Sequence, residues 1–233
     1  MAYTGLTPTQ VMRFINRNLG AALQELELSE EEMMRVVFQE TLPTFSKFFP
    51  YKYRLQVGNA QFVQGSLNTY EIPNSDNLEI IGIHKVFISN MAQFGSTMIP
   101  LSYNPFETQI FNDYVSMTVT PVTWTYIPPN QVTVFPKIVN YQTAIFEVKA
   151  VHPRHMKTVP MNMRDEFLKL TLLDVLVSLY PLRKRFETMT TPYGNLQPFM
   201  EMVERSIDDR KELLERFSNL LLKDSNAKRI FIA

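Results

Sequence analysis

Cysteine is absent from the 233 residues, which excludes disulfide bridges, thiolate zinc sites, iron–sulfur clusters and a cysteine nucleophile. Histidine is scarce: His84, His152 and His155 leave little for a metal site or a catalytic triad. The seven glycines, at 5, 20, 58, 65, 82, 95 and 194, never stand closer than seven residues apart. Phosphate-binding loops need clustered glycines so that backbone N–H groups can approach the ligand, and the familiar nucleotide-binding loops are therefore excluded. A surplus of positive charge is also missing, since 23 Lys+Arg meet 23 Asp+Glu. Nucleic-acid binding as a main activity lacks the charge that displaces counterions. No basic segment followed by an apolar one opens the chain, and no apolar run reaches the roughly 18 to 20 residues that span a bilayer. The expectation is a chain neither secreted nor inserted in a membrane.

What is present is the composition of a folded protein, 45% apolar, 12% aromatic and 20% charged, with enough length to bury a core without crosslinks. Charge is unevenly spread. Residues 1–55 carry 6 basic and 6 acidic side chains, 56–159 carry 5 and 6, and 160–233 carry 12 and 11. From Val86 to Pro136 only Glu107 and Asp113 are charged, in a stretch rich in Thr, Val, Tyr, Ile and Phe that suits strands. The expected fold class is α+β. It has an N-terminal helical part (1–55), a central antiparallel β-sandwich or barrel-like domain (56–159), and a C-terminal part of long helices with a short terminal arm (160–233). The two helical ends are expected to pack as one helical domain.

Local signals place the elements. Thr7-Pro8-Thr9-Gln10 offers a cap, a proline at the first helical position and a Gln three residues after the cap, predicting a helix to about Leu26. Ser29-Glu30-Glu31-Glu32 is a second capping box, and its acidic first turn suits the helix dipole. That helix is expected to stop near Leu42, because Pro43 disfavours helical geometry at the residue before it. Phe45, Phe48 and Phe49 then form an aromatic knot, read as packing the helical hairpin onto the rest of the chain. Alternation from Tyr51 to Val57 marks a strand, and further strands are predicted over 67–72, 79–88, 115–127, 131–135 and 144–151. The segments Pro121–Ile127 and Gln131–Phe135, joined by Pro128-Pro129-Asn130, read as a hairpin. Residues 167–180, apolar on most sides, predict a central helix ended or kinked at Pro181. A last helix over 198–222 carries Val203, Ile207, Arg210, Leu214, Phe217 and Leu221 as a packing stripe broken by one arginine.

Reactive constellations do not assemble. His152 and His155 flank Pro153 with no third ligand near, and read as a solvated loop rather than a metal site. His84 reads as a satisfied or exposed strand residue, and Asp165 and Glu166 as dipole-complementing charges in a first helical turn. No catalytic residue, metal or cofactor is expected. Glu71, Asp76, Glu79, Glu107, Asp113 and Glu147 are the carboxylates of the β part, and nothing in their spacing pairs two of them across a sugar-hydrolysing cleft. Arg183, Lys184 and Arg185 form the densest basic patch, with Lys228 and Arg229 next, facing either solvent, a partner or nucleic acid. Ile230, Phe231 and Ile232 lie within four residues of the end, where apolar side chains need a cover: their own core, or a neighbouring sheet edge. Tyr103, Phe106, Phe111, Tyr114 and Tyr126 lie in the uncharged zone and suit either the sheet's own core or a subunit interface.

Thr69-Tyr70-Glu71-Ile72-Pro73, Ile80-Ile81-Gly82-Ile83-His84-Lys85-Val86, Thr123-Trp124-Thr125-Tyr126-Ile127-Pro128-Pro129-Asn130 with Val134-Phe135-Pro136-Lys137, and Met161-Asn162-Met163-Arg164-Asp165-Glu166-Phe167-Leu168 together resemble virion structural proteins of large tailed bacteriophages, of the neck or head-to-tail connector type. The resemblance implies a homo-oligomeric ring, commonly of twelve subunits, between portal and tail, assembled in the host cytoplasm, with no catalytic residues. It implies portal and tail proteins as partners, passive contact with packaged DNA, no membrane, and terminal arms that grip the adjacent ring. On this reading loops from Met91 to Tyr114 contact a neighbour and the C-terminal tail anchors on another protein. A baseplate or tail-completion component shares the same composition, and a nucleic-acid-contacting protein is the remaining alternative.

Overall fold

The computed structural model describes residues 5–19, 28–57, 62–66, 68–73, 78–89, 99–100, 122–138, 143–184, 190–191, 194–195 and 200–227. The protein is of the α+β class and divides into two compact units, Met1–Phe49 with His152–Ala233, and Pro50–Val151.

The first unit is helical. Helix α1 (Pro8–Leu19) begins as its capping residues dictate, with the Thr7 N–H donating to Gln10 Oε1 at 3.2 Å and the Gln10 N–H to Thr7 Oγ1 at 3.3 Å. Its further course to Leu26 lies outside the described residues. Helix α2 (Glu30–Val36) opens on the Ser29–Glu32 capping box, whose hydrogen bonds from Ser29 hold the Glu32 carboxyl below its ordinary pKa. The expected stop at Leu42 does not occur. A π-helical turn (Val37–Thr41) succeeds α2 and leads directly into α3 (Leu42–Phe48), with Pro43 in the first turn of α3. The wider turn, in which the Leu42 N–H reaches the Val37 carbonyl, loosens the ladder where the proline ring would collide with a preceding carbonyl and where its missing N–H would break a bond. Helix α4 (Arg164–Lys184), preceded by a 3₁₀ turn (Met161–Met163), likewise runs through Pro181. Helix α5 (Met200–Ala227) is the longest, and a short ribbon of β8 (Thr190–Thr191) and β9 (Gly194–Asn195) precedes it.

Helix α4 buries Phe167, Leu170, Leu173, Val175, Leu176 and Leu179, which makes it the centre of this unit. The aromatic knot closes the core: Phe45 meets Phe167 at 5.1 Å and Phe217 at 6.2 Å between ring centroids, and Phe217 also meets Phe48 and Phe49 at 5.7 and 5.2 Å. Edge-on ring pairs of this kind add roughly 0.5–1.5 kcal/mol beyond area burial. The arginine that interrupts the α5 stripe has a partner. Arg210 Nε donates to Asp174 Oδ1 at 2.5 Å, and Thr41 Oγ1 donates to Asp174 Oδ2 at 2.7 Å, so one wholly buried carboxylate joins α4, α5 and the π turn.

His152 is buried in the same unit, not solvated as its loop position suggested. Its backbone N–H donates to Ser46 Oγ at 3.0 Å, its Nε2 lies 2.8 Å from the Phe49 carbonyl and its Nδ1 2.8 Å from Thr158 Oγ1. A carbonyl only accepts, so Nε2 carries the proton and Nδ1 accepts from the threonine hydroxyl. Burial pushes the imidazole down to about 4, the bond to Phe49 opposing this and His155 adding to it.

The second unit is antiparallel sheet. Strands β1 (Tyr51–Val57), β3 (Ile80–Ser89), β4 (Ile99–Pro100) and β7 (Thr143–Ala150) form one sheet in the order β3-β7-β1-β4. Strands β2 (Thr69–Glu71), β5 (Thr123–Ile127) and β6 (Gln131–Phe135) form a second in the order β2-β6-β5. Tyr53, Val57, Phe146 and Val148 of the first sheet share a core with Tyr70, Val132 and Val134 of the second, and among the described residues neither sheet closes into a barrel. On the other side of the first sheet, Arg54 and Glu147 stand directly opposite each other and both are buried, with Nε and Nη2 at 3.0 and 2.9 Å from one carboxylate oxygen.

Two predictions concern the helical unit. Asp174→Ala strips Arg210 and Thr41 of their acceptor and is expected to cost about 3 kcal/mol, measured by urea unfolding monitored by circular dichroism; an unmoved midpoint refutes the tie. His152, neutral when folded and easily protonated when unfolded, contributes stability that is complete above pH 6.5 and drains away as pH falls toward 4. A fall from 6.5 to about 4 corresponds to roughly 3 kcal/mol. Unfolding midpoints measured from pH 7 to pH 4 are expected to fall more steeply for the natural chain than for His152→Asn.

Candidate functional site

Among the described residues no group of three His, Asp or Glu side chains is placed to hold a metal ion. His155 is exposed, its Nδ1 accepting from the Lys157 N–H at 3.1 Å, while both ring nitrogens of His152 are taken by the protein, so the two do not converge on an ion. Glu147 is committed to Arg54, and Glu166 lies 3.7 Å from Arg216. These carboxylates are therefore engaged separately. No helix among the described residues is long and apolar enough to cross a membrane. The features with unspent capacity are surfaces.

One is a groove of about 500 Å³ lined by Gln10, Arg13, Phe14, Arg17, Arg164, Asp165 and Leu168. Helix α1 contains Arg13 and Arg17 one turn apart and no acid, and the first turn of α4 brings Arg164 beside them. Arg17 lies over the Phe14 ring at 5.8 Å and Arg164 Nη2 donates to Gln10 Oε1 at 3.4 Å. Neither Arg13 nor Arg17 has an ion-pair partner among the described residues. Three guanidinium groups against one carboxylate attract anionic groups, carboxylate or phosphate alike. The sequence signal was available, two arginines at helical spacing without acids, but the third member lies about 150 residues away and only the fold brings it in.

The other surface is the β5–β6 hairpin. Its register is regular from Thr123↔Phe135 to Ile127↔Gln131. Val132 and Val134 point into the core, whereas Trp124, Ile127 and Phe135 stand 36, 42 and 53% exposed. Tyr126 is held by its hydroxyl, which donates to the Pro129 carbonyl and lies 3.2 Å from that of Ile80, and burial raises its pKa. The hairpin thus exposes uncharged apolar side chains on both faces, Trp124 on the side of Val134 and Ile127 and Phe135 on the other.

The interface residues expected from sequence fall mostly elsewhere. Tyr103, Phe106, Phe111, Tyr114, Ile230, Phe231 and Ile232 lie outside the described residues, as does Arg185. Arg183 and Lys184 are in the last turn of α4, with the exposed Lys184 ammonium 5.5 Å from the Tyr180 ring centroid.

Residues 5–233 match the family model described as bacteriophage ring protein. No curated protein matches the chain.

Proposed function

The chain belongs to the bacteriophage ring protein family, and from that premise we propose that it builds a homo-oligomeric ring in the neck of a tailed-phage virion, joining the portal and head to the tail. A structural ring component of a phage particle is what the family is; the neck position, the ring of like copies and the twelve-fold count are our own reading. The single observation that carries it is the extent of the family match, which spans both the helical and the β unit.

The described surfaces support it. A ring needs two unlike faces on each copy that recognise each other and close by rotation, and interface cores are poor in charge and rich in aromatic residues. The exposed Trp124, Ile127 and Phe135 have that character. Loop residues Tyr103, Phe106, Phe111 and Tyr114 and the tail residues Ile230, Phe231 and Ile232 are assigned to contacts with neighbouring copies or adjoining portal and tail proteins. Arg183, Lys184 and Arg185 are assigned to a partner-facing patch that passively contacts packaged DNA. The two sheets and their common core support the small sandwich. Catalysis, a metal or a cofactor has no part in this reading, and assembly is placed in the host cytoplasm.

Mass measurement of the purified protein and of the complex released from particles is the first test, with a multi-copy assembly expected in at least one; a single copy in both overturns the ring. Imaging of labelled particles decides the position. Density between portal and tail is expected, and density at the baseplate assigns the ring there instead.

A further inference from the structure

The groove between α1 and the start of α4 holds guanidinium groups that its own chain leaves unused. Arg13 and Arg17 are exposed, stand one turn apart on α1 and have no ion-pair partner among the described residues. Like charges at this spacing repel along the helix, and Arg164 adds a third cation against the single carboxylate of Asp165. The acidic turn of α2 does not serve them: Glu30 accepts from Asn16 at 3.0 Å, and Glu32 is engaged in the Ser29 capping box. The opposite charge lies on α5. Glu204, Asp208, Glu212 and Glu215 follow one another at four, four and three residues, all exposed, and so form a single stripe. Val203, Leu213 and Phe217, the buried residues of the same helix, lie on its far side. Lys211 interrupts the stripe and is held by Asp208 at 3.2 Å. Glu204, Glu212 and Glu215 have no ion-pair partner among the described residues. Their repulsion along the helix, like that of the two arginines, is relieved only by a partner of opposite sign.

Charge complementarity identifies the occupant of the groove. The acidic stripe faces away from the core of its own unit, so it meets the groove of another copy rather than its own. At 1.5 Å per residue it covers roughly 16 Å of helix, enough to span the roughly 10 Å from Gln10 to Arg17. Glu212 and Glu215, one turn apart, match the spacing of Arg13 and Arg17, and guanidinium with carboxylate is the pairing that gains most from a fixed two-pronged geometry. A phosphate backbone is the weaker candidate, because Asp165 stands in the groove and the chain as a whole has no positive surplus. We propose that the acidic face of α5 in one copy docks into the Arg13, Arg17 and Arg164 groove of the next, Glu212 and Glu215 meeting Arg13 and Arg17. Contact between two unlike faces is the kind that continues from copy to copy around a ring. The inference rests on the ring reading above and names one of its contacts.

Charge reversal on either side provides the test, since all four positions are exposed. One full-length chain carries Arg13→Glu with Arg17→Glu, another Glu212→Arg with Glu215→Arg. Each alone is expected to associate at least tenfold more weakly than the natural chain in sedimentation velocity, with the urea unfolding midpoint unchanged. An equimolar mixture of the two, and a single chain carrying all four substitutions, are expected to recover the natural association. The recovery decides, because a chain that merely misfolds is not restored by mixing. Weakening without recovery, or in only one of the two variants, overturns the proposal. Assemblies that keep their full mass in both variants also overturn it and leave the ring reading standing; if the arginine variant then loses binding to a double-stranded DNA fragment, the groove belongs to phosphate. A single-copy mass for the natural chain, alone and in the complex released from particles, removes both.

Discussion

A single carboxylate with none of its side chain exposed holds the helical unit in register. Asp174 sits among Leu173, Val175 and Leu176 on the most buried helix of the protein, where a lone polar group is strongly unfavourable and a satisfied one is directional. It accepts from Arg210 on α5 and from Thr41 in the π turn. Leucines and phenylalanines would allow helices to slide by a turn at small cost; a buried acceptor with two assigned donors does not. The helical unit is also discontinuous in sequence, residues 1–49 returning at 152, and Asp174–Thr41 is one of the bonds that unite its halves.

The π turn answers to the same constraint. Helix α2 enters from the Ser29 cap and α3 leaves through Phe45, whose ring packs against Phe167 and Phe217. Both Thr41 and Phe45 must face α4 and α5, and they do so while Pro43 stands between them. An extra residue in the turn before the proline keeps the helix running and presents both faces correctly. The β unit uses polarity in a parallel way, because Arg54 and Glu147 are opposite each other in the β1–β7 register. A one-residue slip of either strand would turn its member of the pair to the other side of the sheet and separate a buried pair.

Legibility from sequence tracked the range of the determining interactions. The capping boxes at Thr7 and Ser29 and the hairpin at Pro128–Asn130 are set by neighbours within a few residues, and the structure places the corresponding helix starts and the β5–β6 pairing where those residues indicate. The Arg210 interruption was visible as an anomaly, but its partner, 36 residues earlier, was not. The continuation past Pro43, the burial of His152 and the joining of Arg164 to Arg13 and Arg17 all depend on contacts between distant segments, for which local pattern offers no measure. The aromatic knot lies between these extremes: its three rings announce a core, yet only the fold shows that they close on Phe217.

Neutrality itself carries an argument about assembly. With 23 charges of each sign, any local surplus of one must be balanced elsewhere on the same chain. The α1–α4 groove concentrates Arg13, Arg17 and Arg164 against Asp165, while the opening turn of α2 carries Glu30, Glu31 and Glu32 on its exposed side. The helical unit therefore carries a guanidinium-rich groove and an acidic turn, which meet where Asn16 of α1 donates to Glu30 Oε1 at 3.0 Å. Self-complementary two-fold contact sets each patch against its own kind, which repels for the charged faces; successive contact in one rotational sense can set unlike patches together.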